Sequence, residues 1–357
     1  MINLLYLFLP LVLYLGIITS YTDIKEGKIR NKHLLTAFIF SIILYLSLFL
    51  LQKINLDIIL MTLINFGIGA VVAFFLWFLG MWSAGDAKLF AVYLFMIPVF
   101  FYKLKTYTFL TLLINVIIPA AAFFIIVLLI KTKIQEKLTL LKKFASFKSL
   151  VHSILLVFCT GWIIELIFSL LKIPSNLIFN MILILGIDKL IRKVWKYNVL
   201  YIYALISVIR IVFQWQKMLT FNFWISFLIF TVGFMILRGL IFDMSFFLFS
   251  KEIMVKDLKL GMILAENIVR NKRKNKIAYQ KVLSSGLFST SQLNNPHFLL
   301  THSIEGLTQQ DINLLNKLHI KNIKIQQTIP FAPFMFFGAL IILIFGVDVI
   351  SIFYLIF

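Results

Sequence analysis

The chain has 357 residues, of which 62% are hydrophobic and only 13% charged, and its mean hydropathy is +1.01. Soluble globular domains run near roughly 45–50% apolar and about 25% charged, so this composition excludes a water-soluble protein and predicts a polytopic membrane protein. A net charge of +20 would suggest nucleic acid as a partner of a soluble protein; here the basic residues cluster between apolar runs, where they report topology, and no nucleic-acid partner is expected.

Ten apolar runs lie near 2–20, 34–51, 58–81, 87–102, 107–130, 149–171, 175–191, 198–215, 222–248 and 331–356. Each approaches the roughly 17–25 residues that a helix needs to cross a bilayer, the fourth and seventh being the shortest. The fold class expected is therefore all-α and polytopic, with about ten transmembrane helices in a lipid bilayer. No basic residue precedes the first run and no small-residue cleavage site follows it, so it reads as a span rather than a signal peptide.

The first run ends in Tyr21-Thr22-Asp23-Ile24-Lys25-Glu26-Gly27-Lys28-Ile29-Arg30-Asn31-Lys32, and the third ends in Trp82-Ser83-Ala84-Gly85-Asp86-Ala87-Lys88. A carboxylate beside a membrane span costs free energy unless neutralised, paired or wetted, so Asp23 and Asp86 are functional candidates. Brought together, two carboxylates cannot both ionise cheaply; the pair shares a proton and can split a peptide bond by general acid–base catalysis. Gly85 gives the second segment backbone freedom for an extended substrate to approach Asp86. Lys88 either pairs with Asp86 or marks the inner boundary of the span.

The stretch 131–148 carries six lysines with leucines at 138, 140 and 141. It reads as a solvated basic loop or as an amphipathic segment on anionic lipid. Within the next four runs, Glu165, Asp188, Arg210, Arg238 and Asp243 read as structural, Asp188 pairing with Lys189 or Arg192 and Arg238 with Asp243. Cys159 is the only cysteine, which excludes a disulfide framework and a cysteine metal site.

Residues 250–329 alone have soluble character. Short apolar stretches at 262–265 and 277–282 flank a polar tip, Asn271-Lys272-Arg273-Lys274-Asn275-Lys276, as in a hairpin. Thr308 is placed to cap a helix from Gln309 to Leu318, and 321–327 alternates as a strand. This is a small α+β insert in which His297, His302 and His319 are scattered and form no metal site. The final run follows, with Asp348 inside it and no evident partner. Four segments result: 1–130 with both aspartates, 131–249 with further spans, the insert 250–329, and the last span 330–357.

If the N-terminus is outside, the inner segments hold 26 lysines and arginines against 5 in the outer ones. Both termini are then outside, and Asp23, Asp86 and the insert face the cytoplasm.

The two aspartate segments resemble the motifs of the type IV prepilin and preflagellin peptidases, membrane aspartic peptidases of the Gly-x-Gly-Asp type. Ile29-Arg30-Asn31 is similar to the Ile-Pro-Asn-like step after the first aspartate, and Ser83-Ala84-Gly85-Asp86 to the second motif. Ile329-Pro330-Phe331-Ala332-Pro333-Phe334 resembles the Pro-Phe-x-Pro start of the family's last helix. The resemblance covers about 1–130 and 328–357, and the insert looks like the extra domain of archaeal relatives. Ser83 stands where the family has its first glycine, and Arg30 where it has proline. The four-cysteine zinc module of bacterial members is absent.

The resemblance implies Asp23 and Asp86 as catalytic residues and Gly85 and Lys88 as supporting ones, with no cofactor and no metal. The substrate it implies is a prepilin-like protein with a basic leader and an N-terminal apolar helix, cut at the cytoplasmic face. The alternative is a multi-span transporter or channel that uses the aspartates to bind ions or protons. The boundary position of both aspartates and the lack of an internal repeat weigh against it.

Overall fold

The computed structural model describes residues 2–78, 81–103, 107–131, 147–171, 175–195, 198–239, 250–271, 278–283, 298–300, 306–318, 320–326 and 330–356. Most of the basic stretch 131–148, the hairpin tip, Asp243 and the three insert histidines lie outside them. The chain divides into two compact units, one of residues 1–123 and 329–357, the other of 124–328. Six of the described helices are long and apolar enough to cross a membrane by length and composition: Leu7–Glu26, Asn31–Leu50, Leu56–Phe78, Thr108–Ile130, Ser149–Leu170 and Phe221–Arg238. Helices dominate because hydrocarbon offers no partner for a backbone N–H or C=O, and a helix satisfies both within itself.

The first unit holds α1 (Ile2–Glu26), α2 (Asn31–Leu50), α3 (Leu56–Phe78), α4 (Ala84–Met96) and the start of α5 (Thr108–Lys131), with α11 (Ala332–Phe345) and α12 (Val349–Ile356) returning from the far end of the sequence. Short α4 lies at its centre, against α1, α2, α3 and α11. Leu89, Phe90, Tyr93, Leu94 and Met96 are all buried, as expected of a helix apolar on every side. The Tyr45 hydroxyl of α2 donates to the Phe95 carbonyl near its end.

Two expected spans differ in the structure. The run at 87–102 is not one helix: α4 stops at Met96, Ile97 is extended, and Val99–Phe101 forms a 3₁₀ turn. Pro98 causes the break, since it lacks an N–H and drives the preceding residue out of the helical region. The final span at 331–356 is also broken. Gly346, at φ 70°, ends α11 in the left-handed conformation, and Asp348 starts α12 by accepting the Ser351 N–H (2.9 Å) and hydroxyl (3.0 Å). Asn115 of α5 bridges the gap, its Nδ2 donating to the Val347 carbonyl (3.2 Å) and its Oδ1 accepting the Val349 N–H (2.7 Å). The opened backbone is thus satisfied by a side chain.

The second unit holds α6 (Phe147–Leu171), α7 (Leu177–Val194), α8 (Leu200–Met218) and α9 (Phe221–Arg238). Its polar groups point inward: Asp188 bonds Arg192 Nε (2.9 Å) and the Tyr203 hydroxyl (2.5 Å), so Arg192 is the partner of Asp188. Arg210 donates to the Phe158 carbonyl (2.6 Å) beneath the Phe158 and Phe223 rings. Arg238 donates to Ser153 Oγ (3.0 Å).

The insert follows with β1 (Ser250–Met254), β2 (Ile263–Leu264), β3 (Glu266–Asn271), β4 (Ala278–Leu283), β5 (Phe298–Leu300), α10 (Gln309–Lys317) and β6 (Asn322–Gln326). Two sheets have the orders β1-β6-β2 and β4-β3-β5. The hairpin therefore joins 266–271 to 278–283, while Ile263–Leu264 pairs with β6 instead. Thr308 caps α10 in a reciprocal box with Asp311, and Ile312 and Leu315 bury its apolar face against Ile323 and Ile325.

Candidate active site

Asp23 lies one turn before the end of α1. Its carbonyl accepts the Gly27 N–H (2.9 Å) that closes the helix. The side chain is only 7% exposed, and Oδ2 accepts the backbone N–H of Ala332 at 3.0 Å. This donor opens α11, whose first turn cannot satisfy it internally, and Pro333 beside it has no N–H to give. Asp23 thus caps α11 from another helix, at the end where the helix dipole favours negative charge.

Asp86 sits in the first turn of α4 and is 4% exposed. Its Oδ2 accepts the Ser83 N–H (2.9 Å), and its own N–H donates to Ser83 Oγ (3.1 Å). This is a reciprocal capping box, so Ser83, where the resembled family has glycine, is the N-cap of α4. Its backbone is extended (φ −75°, ψ 162°) and open to any residue. The other oxygen, Oδ1, is buried with no hydrogen-bond partner among the described residues. Burial pushes the Asp86 carboxyl up to about 7; the Ser83 bonds pull it down and the charge of Asp23 pushes it further up. The two carboxyls, from helices 63 residues apart in sequence, therefore feel one another.

Gly85 has a different role from the one expected. It is helical, within the first turn of α4, and a Cβ there would stand 3.1 Å from Ile29 Cβ. The missing side chain lets the segment after α1 pack onto the start of α4, which brings the two aspartate segments together. Lys88 does not pair with Asp86; its Nζ donates to Asn31 Oδ1 (3.2 Å) at the start of α2. Arg30 adds little charge near Asp23, because its guanidinium pairs with Glu26 (2.8 Å) on the exposed side.

The sequence did not single out Trp82 or the Ala332 backbone. Trp82 is buried and its ring meets those of Phe90 (5.1 Å) and Phe331 (6.4 Å), tying the residue before the Asp86 cap to the helix start that holds Asp23. The signal in the sequence was the Pro-Phe-x-Pro stretch, whose use is visible only once α11 packs along α1.

Residues 10–129 match the type IV leader peptidase family, and residues 226–329 match the archaeal peptidase A24 C-terminal domain, a match that begins within α9. No curated protein and no solved structure matches the chain. With both matches in one chain and several helices fit to cross a membrane, the protein belongs to the type IV leader peptidase family, as a multi-pass membrane prepilin or preflagellin peptidase of the archaeal kind.

Proposed function

We propose that Asp23 and Asp86 are the catalytic dyad of an aspartic endopeptidase that removes the leader of prepilin-like or preflagellin-like proteins at the cytoplasmic face. The observation that carries this reading is that two buried carboxyls from different helices are brought to one place: Asp23 holds the start of α11 through Ala332, and the Trp82 ring beside the Asp86 cap meets Phe331 at that same helix start. Such a pair holds one shared proton near neutral pH, so it offers a base and an acid at once. Gly85 and Lys88 support the dyad by holding Ile29 and Asn31 of the first motif against α4. The 26-to-5 distribution of basic residues supports the cytoplasmic side. Residues 1–130 and 330–357 make the catalytic core, 131–249 are additional helices, and 250–329 form a cytoplasmic accessory domain. The substrate is a protein with a basic leader ahead of a single apolar helix.

The test is cleavage of such a protein by the purified enzyme in detergent. Asp23→Ala, Asp86→Ala and the two Asn variants should each lose at least ~10²–10⁴ in rate, since an amide cannot transfer the proton. Near-normal cleavage by any of them would remove the dyad. Single cysteines placed at Lys28 and Lys321 should react with an impermeant reagent from the cytoplasmic side alone; labelling from outside would invert the topology.

A further inference from the structure

The two carboxyls are held in different ways. Asp23 receives a backbone N–H at the start of α11, with Oδ2 3.0 Å from the Ala332 nitrogen. Donors aimed at a carboxylate stabilise its ionised form. Asp86 has both of its bonds on one side: Oδ2 takes the Ser83 N–H, the Ser83 hydroxyl takes the Asp86 N–H, and buried Oδ1 has no partner among the described residues. An oxygen buried without a donor is where a carboxylic acid carries its proton at least cost, because the proton turns an unsatisfied acceptor into a donor for the substrate.

Resting on the dyad reading above, we infer that Ser83 is a positioning residue that fixes Asp86 as the proton donor of the reaction: its hydroxyl anchors the Asp86 backbone and its N–H occupies Oδ2, so that Oδ1 alone presents the proton, while Asp23 is the base. In the first step the water oxygen forms a bond to the scissile carbonyl carbon as one water proton passes to Asp23. The proton on Asp86 Oδ1 passes to the carbonyl oxygen, which leaves a neutral gem-diol, a protonated Asp23 and an ionised Asp86. In the second step the C–N bond breaks as the Asp23 proton goes to the departing nitrogen. One diol hydroxyl proton returns to Asp86, and both aspartates regain their starting forms. The bond from the Ser83 N–H to Oδ2 matters most when Asp86 is ionised, between the two steps, because hydrogen bonds to a carboxylate are the strong ones.

The ionisable groups around Asp86 are few. From α1 comes Asp23, the charged group that acts on it. The first turn of α2 brings Lys32 and His33, the latter bonded to Tyr14 (3.2 Å). The one ionisable side chain of α3, Asp57, lies in its first turn, at the far end from the link to Ser83. On α4 itself Lys88 is bonded to Asn31 and Tyr93 is buried; the segment that meets Gly85 carries Lys28 and Arg30, the latter paired with Glu26, and α11 has no ionisable residue.

The experiment is the pH dependence of kcat and KM for the full-length enzyme and for Ser83→Ala, Ser83→Gly and Ser83→Thr. Losing the hydroxyl in the Ala variant should lower kcat about tenfold with KM little changed, since a reacting group held less accurately costs rate rather than binding. It should also move the alkaline limb of the kcat profile to higher pH, because the Ser83 hydroxyl beside the carboxyl favours the ionised form of an acid that must be protonated to work. The Gly variant, which keeps a good N-cap backbone, should show the same shift and guards against a folding defect in the Ala variant. The Thr variant, with the hydroxyl retained, should restore both kcat and the limb. A shift of the acidic limb instead would make Asp86 the base and overturn the assignment. Unchanged kcat and limbs, with only a lower melting temperature, would reduce Ser83 to a helix cap. If Asp86→Ala still cleaves, the dyad itself fails, an outcome separate from either of these.

Discussion

The carboxylate of Asp23 accepts the backbone N–H of Ala332 at 3.0 Å across 309 positions of sequence. That bond joins the end of α1 to the start of α11, and the two helices pack along one another. The late Pro-Phe-x-Pro stretch thereby acquires a physical role, in which Pro333 withholds a donor and the Ala332 N–H beside it is given to Asp23.

Ala332→Pro replaces that N–H by a ring carbon pressed against the carboxylate, and it also disfavours the helical conformation of Phe331 (φ −87°, ψ −20°). A hydrogen bond to a charged group is worth about 1.5–3 kcal/mol, so the cleavage rate should fall roughly ten- to hundredfold by the usual conversion. The melting temperature should fall as well, because the start of α11 is strained. Steady-state cleavage beside a thermal melt checks both, and an unchanged rate would show that Asp23 does not depend on α11.

The raised Asp86 carboxyl makes stability depend on pH with a definite sign. Its ordinary value is 3.8 and in the folded protein it lies at about 7. Between those values the folded state binds more protons than the unfolded one, so stability from this group is full below about 4 and is lost as pH rises through 7. Asp86→Asn, which cannot ionise, should melt at a higher temperature relative to the parent at pH 8 than at pH 5. Melting curves at the two pH values decide it; a constant difference would place the Asp86 titration elsewhere.

In the second unit, Asp188 is 1% exposed and held by Arg192 and Tyr203. Removing one partner of a buried pair strands the other, at about 3–5 kcal/mol. Lys217 and Glu165 pair with half of each side chain exposed, where about 0–1 kcal/mol is expected. Arg192→Met should therefore lower the melting temperature several times more than Lys217→Met. Equal losses would mean that the Asp188 cluster is less buried than its geometry indicates.

Much of this protein was legible in one dimension. Apolar run length alone marks the helices, because a bilayer leaves the backbone no other way to be satisfied. Capping chemistry is equally local: Thr308 and Asp311 announce α10 from three residues' separation, and the motif spacing drew attention to Asp23 and Asp86. Breaks in apolar runs were harder to see. Hydropathy does not change at Pro98 or at Gly346, and the split of the last span depends on Asn115, a side chain on α5 more than two hundred residues earlier.

The roles around the two aspartates were decided by tertiary packing. Gly85 looked like a flexible loop residue and proves to be the helical contact for Ile29, while Lys88, open to two readings, bonds Asn31. Asp348 had no partner in sequence terms because its partner is the helix it starts. The box that bonds one Asp86 oxygen to Ser83 is local, but the burial of the other without a donor, and the bond from Ala332 to Asp23, follow from how α1, α4 and α11 meet. No local pattern encodes that, because burial and long-range hydrogen bonds are properties of neighbours in space rather than along the chain.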